Sequence, residues 1–179
     1  HGKLLWLWVF TCTTATFFIV GRRTREMVCR VLGEHFDHWL MSDGYAAYRD
    51  FDQRLRCLAH IIRKAHGLED SFDQQARSLG TQVLSAIETV LDTVYAARGG
   101  APPSDDLRAY CAPVLNALFA ACRRSVDCSH GPARALAREL LNDWDTFWVV
   151  LDYPEFPLTN NEAERALRHW VIARRIGMG

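Results

Sequence analysis

The sequence predicts an α/β fold with an all-helical segment inserted ahead of its last helix. Three observations carry this. Up to His66, short apolar runs read in the order strand, strand, helix, strand, helix, strand, which is the order of an α/β sheet. From Ser71 the apolar period changes to that of helices and keeps it to Leu151. At Pro157 a fresh helix start returns with two acidic residues, Glu162 and Glu164.

The elements follow in order. Leu4 to Val20 is apolar, but Thr11, Thr13, Thr14 and Thr16 interrupt it. It falls short of the roughly 20 apolar residues of a spanning helix. Its β-branched and aromatic residues favour strands. It therefore reads as a hairpin of two buried strands, near 4–11 and 14–20, rather than a signal peptide or membrane span. Thr24 caps a helix that buries Val28, Val31 and Leu32 and ends near Gly33. Trp39-Leu40-Met41 reads as a strand, 46–51 as a helical turn, 55–59 as a strand, and a basic helix starts at His60. Phe72, Ala76, Leu79, Val83, Ile87, Val90 and Val94 then mark one long helix to about Arg98. Gly99-Gly100-Ala101-Pro102-Pro103-Ser104 breaks the chain. A second helix turns Leu107, Val114, Leu118 and Cys122 inward, with Pro113 kinking it or resetting its start. Gly131-Pro132 opens a third, which carries Leu136, Leu140, Trp144, Phe147 and Leu151. Pro154 and Pro157 keep 152–157 extended. The domain organisation expected is 1–66 for the first part of an α/β core, 67–156 for the helical insertion, and 157–179 for the return of the core.

Composition bounds the function. The chain has 179 residues, 49% hydrophobic and 11% aromatic, enough for a buried core. Its formal net charge is zero, so no global basic field marks it as a nucleic-acid binder. Basic residues do cluster locally, at Arg22-Arg23-Arg25, Arg63-Lys64, Arg123-Arg124 and Arg165, Arg168, Arg174, Arg175. Most such runs are solvated faces. Six cysteines show no C-x-x-C pair and no zinc-finger spacing, which fits reduced thiols. Cys57 with His60 and His66 reads as a packed thiol beside surface histidines rather than a metal site. No phosphate-binding glycine loop and no nucleophile elbow occur, so ATP use and serine hydrolase chemistry are not indicated.

Two acidic residues stand out. Thr159 and Glu162 have the spacing of a capping box, which gives Glu162 a local structural task. Glu164 has no such task. It precedes Arg168 by one turn, and Val171 and Arg175 continue its face. On spacing alone a solvated Glu–Arg pair explains it. Asp43 ends the short apolar run Trp39-Leu40-Met41 and precedes Gly44. Asp-Gly is an ordinary turn pair, yet the C-terminal end of a core strand is also where open α/β sheets place their chemistry. Asn160 and Asn161 read as caps or as support for an acidic site.

Three blocks, in order, carry a resemblance: Ser42-Asp43-Gly44-Tyr45-Ala46-Ala47-Tyr48, then Arg56-Cys57-Leu58-Ala59-His60-Ile61-Ile62-Arg63-Lys64, then Leu158-Thr159-Asn160-Asn161-Glu162-Ala163-Glu164-Arg165-Ala166-Leu167-Arg168. Together they resemble the bacterial insertion-sequence-sixty-six type of DDE transposase. The segment from about Ser71 to Phe156 matches that family only in length and helical character. The resemblance implies a ribonuclease-H-like catalytic core that cleaves DNA and transfers strands. By position Asp43 is similar to the second acidic residue of the triad and Glu164 to the third, with Glu162 the lesser candidate. The first acidic residue of the family precedes the strand that here begins near Leu4. The chain is therefore expected to be an internal fragment, or a decayed copy, holding two of three ligands.

The chemistry implied is metal-assisted. Hard carboxylate oxygens suit Mg²⁺, or Mn²⁺, and two such ions activate the attacking oxygen and steady the leaving one. Asp43 and Glu164 are thus the expected catalytic and metal residues, and His60, Arg63, Arg165 and Arg168 the expected DNA phosphate contacts. DNA is the expected partner, the parent enzyme a homo-oligomer, the bacterial cytoplasm its location, and no membrane is involved. Two alternatives stay open. One is another ribonuclease-H-like nuclease. The other is a non-catalytic helical remnant, with Asp43 a turn residue and Glu164 a surface ion pair.

Overall fold

A computed structural model of the chain describes residues 4–176. It is mixed α/β, predominantly helical, and divides into two compact units, 1–54 with 159–179, and 55–158. No described helix is long and apolar enough to cross a membrane.

The first unit is built on an antiparallel hairpin of β1 (Trp6–Thr11) and β2 (Thr16–Gly21), with Trp6 opposite Gly21, Trp8 opposite Ile19 and Phe10 opposite Phe17. Strand side chains alternate faces, and the two faces here differ. Trp8, Phe10 and Ile19 join a core with Val28, Ala47 and Phe51. That core is closed by α1 (Arg25–Leu32) and by a 3₁₀ turn at Ala46–Tyr48. The opposite face carries Leu5, Leu7, Phe18 and Val20, against which Leu167 and Trp170 of α7 (Asn161–Ile176) lie. This cover is partial: Leu5, Phe18 and Val20 are exposed, as is Phe17 on the other face. The expected pair of buried strands is thus corrected. A hairpin forms, but β2 is mostly solvent-facing, because one helix cannot cover a whole strand face.

Helix α1 ends as expected at Gly33, whose φ of 88° suits a residue without Cβ. The short strand β3 is Leu40–Ser42, one residue later than predicted. Its Leu40 N–H donates to the Gln53 carbonyl, 2.9 Å, in the run leading into β4 (Arg54–Arg56).

The second unit is helical. Helix α2 (Leu58–Glu69) starts two residues ahead of His60 and buries Leu58, Ile61, Ala65 and Leu68 against α3 (Gln74–Arg98). Asp73 caps α3 by accepting from the Ala76 N–H, 2.8 Å. Phe72 therefore lies outside the helix and is fully exposed, not inward as its spacing suggests. Helix α4 (Leu107–Ser125) runs through Pro113, which sits on the exposed side. Its buried stripe is Leu107, Cys111, Leu115, Leu118 and Cys122, while Val114 is half-buried. Residues 131–151, expected as one helix, are three pieces: α5 (Gly131–Asn142), α6 (Trp144–Trp148) and a 3₁₀ turn at Val149–Leu151. The break is at Asp143, a buried residue held by an ion pair. The 152–157 loop is turned rather than extended: Tyr153 N–H bonds to Val149 and Phe156 N–H to Tyr153. Arg98 fixes it by donating to the Pro154 and Phe156 carbonyls.

Candidate acidic site

Asp43 sits directly after β3, half-buried. Its Oδ1 accepts the Tyr45 N–H at 2.9 Å, a side-chain turn of the kind Asp-Gly favours. The turn reading and the strand-end reading therefore hold together. Its Oδ2 has no protein hydrogen bond among the described residues.

Tyr45 organises the ground around it. Its hydroxyl donates to the Arg23 carbonyl, and its ring lies 4.1 Å from the Arg23 guanidinium. The same guanidinium is 4.8 Å from the Trp6 ring. The Tyr45 ring also meets Trp8, 6.0 Å between centroids, and Tyr48, 6.2 Å. Burial pushes the Tyr48 phenol well above its ordinary range, the Asp43 carboxylate pushes it further, and Arg23 opposes both. Asp43 and Arg23 thus act on one hydroxyl from nearby.

Glu164 and Glu162 both lie in the first turn of α7, exposed, where the positive end of the helix dipole favours carboxylates. The Glu164 N–H donates to the Asn160 carbonyl, 3.2 Å, so Asn160 stands at the cap position. The helix therefore starts one residue later than a Thr159 cap requires. Glu162 becomes its second residue, and the expected capping-box spacing is not realised. The Glu162 charge reaches the Cys12 thiol at the hairpin tip, but it is a minor influence there. Hydrogen bonds from Thr14, backbone first and hydroxyl second, lower that thiol.

The Asp43 turn packs, through Tyr45, on the Trp6–Trp8 face of β1, and α7 packs on the opposite face through Leu167 and Trp170. Among the described residues, no three His, Cys, Asp or Glu side chains form a group suited to a metal.

The expected phosphate contacts are divided between the units. His60, half-buried, and Arg63, exposed, belong to α2. Arg165 and Arg168, both exposed, belong to α7, where Arg165 Nε donates to the Asn161 carbonyl, 3.4 Å. The side chains of Val171, Arg174 and Arg175 lie outside what the structure describes.

One constellation escaped the sequence reading. Arg56, in the second block, has a buried guanidinium that donates to Asp143 Oδ2 and, at 2.6 Å, to Glu139 Oε1. Glu139 Oε2 also receives Lys64 Nζ, and the guanidinium lies 4.8 Å from the Phe147 ring. The signal was there to read. An arginine inside the apolar run Leu55-Arg56-Cys57-Leu58 is buried only with a counter-charge.

A family model described as Transposase IS66 family matches residues 1–178. Among curated proteins and among solved structures, no match is found.

Proposed function

Since the chain belongs to the Transposase IS66 family, we propose that it forms part of a ribonuclease-H-like catalytic domain that cleaves DNA and transfers strands during transposition. The observation that carries this is the family match over residues 1–178. The reading is supported by the place of Asp43, a carboxylate at a strand end with one oxygen that no described residue engages.

The donor chemistry fits a hard cation, since Asp43 and the exposed Glu164 offer carboxylate oxygen and nothing softer. These two residues would hold Mg²⁺ together with a further acidic ligand. When bound, the ion supplies Lewis-acid stabilisation of the oxygens on either side of the phosphorus. The protein's own tasks are narrower. The Asx turn holds the Asp43 side chain through Oδ1 and leaves Oδ2 for a ligand. The ring cluster of Trp8, Tyr45 and Tyr48 stiffens that turn from below. The basic residues of α2 and α7 supply phosphate contacts that position DNA without reading its sequence.

The test is a strand-transfer assay on the full-length transposase, run beside a thermal melt. Asp43→Asn and Glu164→Gln should each lower the rate by several orders of magnitude, with the melt nearly unchanged. Glu162→Gln should leave the rate within a small factor. Transfer that survives Glu164→Gln, or equal losses at Glu162 and Glu164, would refute the assignment.

A further inference from the structure

The run Arg22-Arg23-Thr24-Arg25 looks like one basic patch in sequence, but the structure gives its arginines different partners. Arg25 is spent: its Nε pairs with Asp50 Oδ2 at 2.8 Å. Arg23 is not spent on any carboxylate of the described residues. Its guanidinium lies over two aromatic rings, Trp6 and Tyr45, and its own carbonyl accepts the Tyr45 hydroxyl. A guanidinium over a ring uses its flat face for the contact and keeps its N–H groups for a second planar partner. Stacking also fixes the side chain before that partner arrives, so less rotamer freedom is lost on binding.

Tyr45 ties this arginine to Asp43. Its backbone N–H is bonded to Asp43 Oδ1, and its ring and hydroxyl are both on Arg23. One residue therefore links an exposed cation, met by no carboxylate of the described residues, to the carboxylate expected to engage the scissile region. The natural partner of a planar fork donor at such a place is a phosphate, which accepts two N–H bonds in parallel. We propose that Arg23 is a DNA phosphate contact at the Asp43 site, held ready by Trp6 and Tyr45. This rests on the DNA-processing function proposed above.

The experiment is equilibrium binding of the chain to a short fluorescein-labelled duplex, followed by anisotropy across a salt series, with a thermal melt of every variant. Wild type should bind with a clear salt dependence. Arg23→Gln should weaken binding several-fold and flatten the log–log salt slope by about 0.9, the loss of one phosphate contact on duplex DNA. Arg23→Lys should keep the slope but bind more weakly, because the charge remains and the stacked fork is gone. Trp6→Leu should do the same. Arg25→Gln, whose charge is already met by Asp50, should change neither affinity nor slope. If wild type binds and Arg23→Gln matches it in slope, the inference is overturned and the function stands. An equal loss of slope in Arg25→Gln overturns it as well, since the effect is then one of total charge. A wild-type chain that binds no duplex overturns the function and the inference together.

Discussion

Arg56 shows what a single side chain costs and returns in this fold. Its guanidinium is 1% exposed, and two carboxylates from α5 and the α5–α6 break meet it. Removing charges from water costs several kcal/mol per ion, offset only by good geometry and full hydrogen bonding. A partner left behind alone is worse than no pair at all. Arg56→Ala and Asp143→Ala should therefore each destabilise by about 3–5 kcal/mol. The double change Arg56→Met with Asp143→Leu should recover most of that. Lys64 is about half exposed, so its link to Glu139 is worth far less, roughly 0.2–1 kcal/mol. Urea unfolding of the three variants checks the ranking. Equal losses for the single and double changes would show that packing around Phe147, not charge, governs the site.

Helices α2 and α3 approach each other tightly at Gly80. A Cβ there would stand 2.7 Å from the Ala65 carbonyl oxygen and 3.1 Å from the Glu69 nitrogen. Both are backbone atoms, so neither can swing aside. Alanine gains roughly 1 kcal/mol over glycine in an isolated helix. Overpacking commonly costs about 1–3 kcal/mol, and forcing two helices apart is at its upper end. Gly80→Ala should thus lower the melting temperature despite its better helix propensity. Gly67, whose Cβ would meet nothing within 4 Å, should be stabilised by the same change. A melt that rises for both glycines would refute the tight contact.

For the molecule as a whole, surface character sets the solution behaviour. The formal net charge is zero, so little electrostatic repulsion keeps copies apart. Leu5, Phe17, Phe18 and Val20 expose apolar area on a two-stranded hairpin. Exposed strands of that kind promote association unless a charge interrupts them. The concentrated chain should therefore self-associate. Val20→Lys, at a position 60% exposed, should reduce light scattering and dye binding to apolar surface while shifting stability by no more than about 0.5 kcal/mol. Unchanged scattering would show that another surface drives association.

Much of this was determined by the sequence alone. The helices of the second unit, the hairpin, α1 with its Gly33 stop, and the strand before Asp43 follow from local period and punctuation. Local pattern acts over a few residues, and so does secondary structure. The turn at Asp43 was legible for the same reason, from its Asp-Gly pair. Tertiary structure decided the rest. The apolar period runs unbroken from Leu136 to Leu151, yet the chain breaks at Asp143, whose carboxylate meets Arg56, far away in sequence. Phe18 and Val20 have the pattern of buried residues, but only packing decides that α7 leaves them half covered. Arg23 and Arg25 are equivalent as letters. They separate only when Asp50 takes one and the Trp6 and Tyr45 rings take the other. A sequence fixes which charges and rings exist. Which of them meet depends on distances that only the folded chain sets.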